Sequence, residues 1–86
     1  MKSFEIVASK YICLLEDRGV IAEQDSNGTI EYSHLLWMLQ VIISDQSLSE
    51  TKRNRWLGFI QGVLVCKGDI EIKSERDSTR EIFKGE

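Results

Sequence analysis

Apolar residues recur along this chain at helical spacing in three separate runs. In the first, Phe4, Val7, Tyr11, Leu14 and Leu15 fall on one face at 100° per residue, with Ala8 beside them. Glu5, Ser9, Lys10, Glu16 and Asp17 lie mostly away from that face, while Ile6 and Cys13 form a small second strip for a partner or the C-terminal segment. Ser3 is a suitable N-cap and Gly19 a suitable residue just past the C-terminus. The second run covers about Glu31 to Ser44, where Tyr32, Leu35, Leu36, Leu39, Ile42 and Ile43 give an i, i+3, i+4, i+7 pattern on a wide apolar arc. Ser44-Asp45-Gln46-Ser47 breaks it. The third opens with Ser47-Leu48-Ser49-Glu50, a capping-box pattern, and closes at Gly68. Its expected stripe is Trp56, Ile60, Val63 and Leu64, with Leu57, Phe59 and Cys66 at the margins.

Between the first two helices, Asp25-Ser26-Asn27-Gly28 is a turn signal, because Asn and Gly tolerate positive φ. Val20-Ile21 and Thr29-Ile30 could pair briefly as strands there. After Gly68, Ile70 and Ile72 alternate with acidic residues, a short helix is expected around Lys73–Arg80, and Ile82-Phe83 would anchor the tail. The expected fold is therefore all-α. It is a small bundle of three main helices plus a short C-terminal one, centred on a helical hairpin from Tyr32 to Lys67, and residues 1–86 make a single domain.

Composition narrows the picture. A chain of 86 residues has a small core, which favours self-association. Hydrophobic residues at 42% and charged residues at 29% keep it in the globular range. A net charge of −3 makes nucleic acid an improbable partner. The charge is uneven: residues 1–46 carry −4 and residues 47–86 carry +1, so an anion site belongs in the second half. No apolar run reaches the ~20 residues of a membrane span, and no leader pattern opens the chain. Two distant cysteines fit a reduced cytoplasm.

Three features could carry function. Lys52, Arg53 and Arg55 crowd the first turns of the third helix, where cations oppose the macrodipole. They could grip a phosphate, a nucleotide or an acidic protein surface, or pair with Glu31, Asp45 or tail acids. Arg76 and Arg80 share a face of the tail helix and could converge with them, or lie on a solvated helix. Trp37 stands among Ser33, Gln40 and Ser44, either as an exposed interface residue or covered by another element; Trp56 reads as core. Gly58 and Gly62 weaken the third helix by about 1 kcal/mol each relative to alanine, and close approach of another helix would compensate. The run is too polar for a membrane dimer motif. The lone His34 lacks companions at ligand spacing, and no nucleophile elbow, zinc-protease motif or P-loop occurs, so neither cofactor nor catalysis is expected.

Three segments carry a family resemblance: His34-Leu35-Leu36-Trp37-Met38, the run from Lys52 to Leu64 containing R-W-L-G-F-x-Q-G-V-L, and Glu75-Arg76-Asp77-Ser78-Thr79-Arg80 with Phe83. Over roughly Tyr32–Phe83 the chain resembles a family of small, uncharacterised proteins of tailed bacteriophages and prophages. The resemblance implies an accessory role in the host cytoplasm, and small phage proteins of that kind bind or inhibit host or defence-system proteins, or sequester nucleotide signals. The leading expectation is a non-enzymatic protein-binding role. The alternative is sequestration of a small phosphorylated ligand by Lys52, Arg53, Arg55, Arg76 and Arg80.

Overall fold

The computed structural model describes residues 3–24, 30–71, 73–75 and 77. Three helices make up the bundle: α1 (Ser3–Asp17), α2 (Tyr32–Ser44) and α3 (Glu50–Cys66). A short fourth helix follows, helical at 73–75 and 77, with the Glu75 amide donating to the Glu71 carbonyl at 2.9 Å; the rest of the expected helix around Lys73–Arg80 lies outside the described residues. No strand occurs among the described residues, so 20–24 and 30 form an irregular connection, fastened where the Glu23 amide donates to the Ser33 carbonyl. The expected turn at Asp25–Gly28 and the anchor Ile82-Phe83 lie outside the described residues.

The two glycine stops hold. Gly19 and Gly68 have φ of 78° and 80°, where a Cβ would be strained. At each, two amides turn back onto the last helical carbonyls: Gly19 to Glu16 and Val20 to Leu15, then Gly68 to Val65 and Asp69 to Leu64. This is the Schellman pattern. The helix starts differ from expectation. Ser3 is the first helical residue of α1 rather than its cap. Ser49, not Ser47, caps α3, its Oγ accepting from the Lys52 amide at 3.1 Å. Ser47 bonds Asp45 instead, through both amide and hydroxyl, because a local turn competes for its side chain. The Ser47–Glu50 capping box is therefore not formed. Those two bonds, with Arg53 and Lys52 nearby, hold the Asp45 carboxyl below its ordinary range.

The core combines Phe4, Val7, Ala8, Tyr11 and Leu15 of α1 with Leu35, Leu36, Met38, Leu39 and Ile42 of α2 and Leu57, Ile60 and Leu64 of α3. The α2–α3 hairpin is present, yet the most extensive packing is between α1 and α2. Phe4 meets Arg53 at one end of the bundle and Arg18 meets Asp69 at the other, so α1 and α3 run parallel and α2 runs against both.

Polar ties close each level. At one end the Arg53 side chain, only 9% exposed, donates from Nε to the Ile42 carbonyl at 3.0 Å and from a terminal nitrogen to the Asp45 carbonyl at 2.6 Å. Its guanidinium also lies 4.6 Å from the centre of the Phe4 ring. Helix carbonyls at a C-terminus lack intrahelical donors and carry partial negative charge, so a buried cation fits there. At mid-height the Tyr11 hydroxyl donates to Glu75 at 2.7 Å and accepts from Gln61 at 3.1 Å, while Lys10 reaches the other Glu75 oxygen at 2.8 Å. Burial first, and then the adjacent Glu75 carboxylate, push the Tyr11 phenol well above its ordinary range. At the far end Asp69 accepts from Arg18 and, at 2.7 Å, from the Tyr32 hydroxyl. Desolvation alone would raise the Asp69 carboxyl; the bonds from Tyr32 and Arg18 outweigh it and hold the group below its ordinary range. Among the described residues every buried side-chain nitrogen and oxygen has a partner.

Two outcomes follow from these ties. Arg53→Met should lower unfolding free energy by about 2–4 kcal/mol in urea titrations, and Arg53→Lys should not restore it, since one ammonium cannot reproduce the two-pronged contact. Asp69 ionises more readily folded than unfolded. Its stabilisation is therefore complete above the ordinary value of 3.8 and is lost as pH falls through the lower folded value. Asp69→Asn should flatten that acid limb in thermal melts recorded across the acidic range.

Candidate functional site

The side chains expected to carry function separate onto different faces of α3. Arg53 points inward with Leu57, Ile60 and Leu64, the buried residues of the helix. The expected stripe through Trp56 and Val63 is thus rotated toward Leu57, and Trp56 and Val63 are half-buried at its margin rather than central. Placing a long, charged residue in the stripe is what rotates it. Arg55 lies on the opposite, exposed side. Lys52, Arg53 and Arg55 therefore do not gather into one cation cluster. Arg76 and Arg80 lie outside the described residues.

A different grouping is assembled across the hairpin. His34 and Trp37 stand one turn apart on α2, and Lys52 and Trp56 one turn apart on α3. The His34 and Trp37 rings stack with centroids 5.5 Å apart at 24°. Trp37 meets Trp56 at 6.3 Å, tilted by 38°. The Lys52 ammonium sits 5.5 Å from the centre of the Trp56 ring. His34 is buried, both tryptophans are half-buried, and Lys52 is exposed, so the row passes from core to surface. Trp37 is accordingly neither fully covered nor free-standing. His34 stacks on it and Trp56 meets it from α3, and it stays half-buried. Such a row offers flat apolar area with a cation at its edge and holds no nucleophile–base pair.

The outer face of α3 carries a second feature. Ile30, Gly58, Phe59, Gly62, Val63, Cys66 and Lys67 line an open groove of about 630 Å³. Close approach of another helix was the expected reason for the two glycines. The described residues do not supply it: a Cβ built at either position meets none of them within 4 Å.

The rotation of α3, the Trp37–Trp56 pairing and the buried Glu75 were not legible in the pattern of residues. Glu75 sits in a charged run that resembles a solvated helix, and only the polar hydroxyl of Tyr11 on an apolar face hinted that a buried partner was needed. No group of three or more potential metal ligands occurs among the described residues. None of the described helices is long and apolar enough to cross a membrane. Comparison with protein-family models, curated proteins and solved structures returns no match.

Because no described residue comes within 4 Å of a Cβ at either glycine, Gly58→Ala and Gly62→Ala should each raise stability by about 0.5–1 kcal/mol in denaturant titrations of dilute protein.

Proposed function

We propose that this protein acts without catalysis, by binding another protein through the face where Trp37, Trp56 and Lys52 meet. The observation that supports this reading is the tryptophan pair. Two large, rigid side chains from neighbouring helices lie side by side, each left partly open, with an ammonium at the edge. Tryptophan is enriched among residues that dominate binding energy, because it covers much apolar area and loses little side-chain freedom. The exposed parts of the two indoles suit an apolar side chain of the partner, and Lys52 suits a carboxylate beside it. The resemblance to phage and prophage proteins makes a host or defence-system protein the class of partner, met in the host cytoplasm. The alternative, a phosphorylated small ligand held by clustered cations, has less to stand on, since Arg53 is committed to the carbonyls of α2.

The test is a pull-down from bacterial lysate with the full chain, followed by affinity measurement on any captured protein. Trp37→Ala should weaken binding by about 2 kcal/mol or more, some thirtyfold, and Lys52→Glu should weaken it less. Failure to retain any protein above background counts against the proposal, as does a captured protein that binds both variants as tightly as the native chain.

A further inference from the structure

Positive charge is unevenly matched in this fold. Lys10 and Arg18 of α1 are each paired with a carboxylate, and Arg53 is spent on the carbonyls of α2. Along α3 and at its C-cap, Lys52, Arg55 and Lys67 are exposed, and none of them is in an ion pair among the described residues. Two carboxylates come near, but each is already used. Asp45, which feels Lys52, accepts from the amide and hydroxyl of Ser47. Asp69, which feels Lys67, accepts from Arg18 and Tyr32. The two ammonium groups lie over aromatic rings instead, Lys52 at 5.5 Å from the centre of Trp56 and Lys67 at 4.8 Å from that of Tyr32. A chain of net charge −3 thus carries one surface with unmatched positive charge.

The surface between the two lysines is apolar. Lys52, Trp56, Phe59, Val63 and Lys67 follow one another at steps of three or four residues, so they share one stripe of the helix. Trp37 borders that stripe beside Trp56, and Ile30 borders it beside Val63 in the wall of the groove. Since α2 runs against α3, the groove continues the tryptophan pair toward the C-terminus of α3. Phe59 is 45% exposed and Ile30 53%. The result is a concave apolar strip with a cation at each end, and Lys52 and Lys67 stand about 22 Å apart along the helix at 1.5 Å per residue.

We propose that the partner binds with an amphipathic helix laid along this strip, apolar at its centre and carrying aspartate or glutamate at both ends. The inference rests on the reading of the Trp37–Lys52 face as a protein-binding site and names what that site accepts. Four turns of helix cover about 22 Å. Carboxylates four turns apart therefore meet Lys52 and Arg55 at one end and Lys67 at the other, while the apolar stripe between them covers Trp37, Trp56 and Phe59. Gly58 and Gly62 lie in the groove and let the backbone of that helix come close. An extended segment would turn alternate side chains away from the strip, whereas a helix keeps its whole stripe on it. A concave strip also suits a helix better than the flat surface of a bilayer.

The probes are two synthetic peptides of about sixteen residues that share one leucine and phenylalanine stripe at helical spacing. One has glutamate in its first and last turns, the other lysine. Titrated into the full chain and followed by calorimetry and tryptophan fluorescence, the glutamate peptide should bind about tenfold more tightly or better, and added salt should narrow the gap. Phe59→Glu should weaken its binding about tenfold or more while circular dichroism keeps the helical signal. Lys67→Glu should weaken it too, and should gain affinity for a peptide with lysine at one end only, a rescue that a misfolded variant would not show. Binding of neither peptide overturns the proposal. So does equal affinity for both, a glutamate peptide insensitive to Phe59→Glu and Lys67→Glu, or a preference for phosphatidylglycerol vesicles over the glutamate peptide, which would make the strip a bilayer contact. A lysate partner weakened by Trp37→Ala but untouched by Phe59→Glu and Lys67→Glu overturns the helix site and leaves the tryptophan face standing; one weakened by all three supports both.

Discussion

The guanidinium of Arg53 is buried against the end of a helix that is not its own, and the orientation of α3 depends on it. Helix α2 stops at Ser44 with its final carbonyls lacking intrahelical donors, close to the core. Arg53 reaches back across the hairpin and supplies two of them. A charge taken out of water needs its hydrogen bonds satisfied, and the negative end of a helix dipole with several carbonyls offers both field and acceptors. Phe4 covers the guanidinium face, so α1 is drawn to the same point. Once Arg53 points inward, residues four, seven and eleven positions later must follow: Leu57, Ile60 and Leu64 become core, and Gly58, Phe59 and Gly62 turn outward. Trp56 is carried to the seam with α2, where it meets Trp37.

The other polar ties have a related logic. Asp69 occupies the position after a glycine stop where an apolar residue usually folds back onto the helix. Here that position holds a carboxylate whose acceptors are used by the ends of both other helices, through Arg18 and Tyr32. The helix ends at this level are thus fixed in space by one residue, as the opposite level is fixed by Arg53. Tyr11, Gln61 and Glu75 do the same at mid-height and bring the segment after α3 onto α1. A small apolar core is supplemented by buried polar contacts that specify relative placement, and each is complete among the described residues.

What was legible in the sequence was local. Gly19 and Gly68 ended helices because positive φ is a property of single residues. The apolar face of α1 and the break after Ser44 were equally direct, and the all-α class followed from three periodic runs. The rotation of α3 was not legible. Leu57, Phe59, Ile60, Val63, Leu64, Val65 and Cys66 surround that helix, so hydrophobic periodicity does not choose a face, and the deciding residue is a charged one that sequence reasoning assigns to solvent. The capping pattern at Ser47 failed for a comparable reason: Asp45 lay two residues away and offered its hydroxyl a nearer partner. Tertiary pairing overrode local preference in both cases.

That distinction bears on how the two faces of α3 should be weighed. The tryptophan seam is explained in part by the fold, since Trp37 and Trp56 cover one another and His34, and a merely structural role would account for much of their burial. The glycine face is different: Arg53 turns it outward, and no described residue comes within 4 Å of a Cβ at Gly58 or Gly62, two positions that weaken the helix. A local conflict that the described residues leave unresolved points to a contact beyond them.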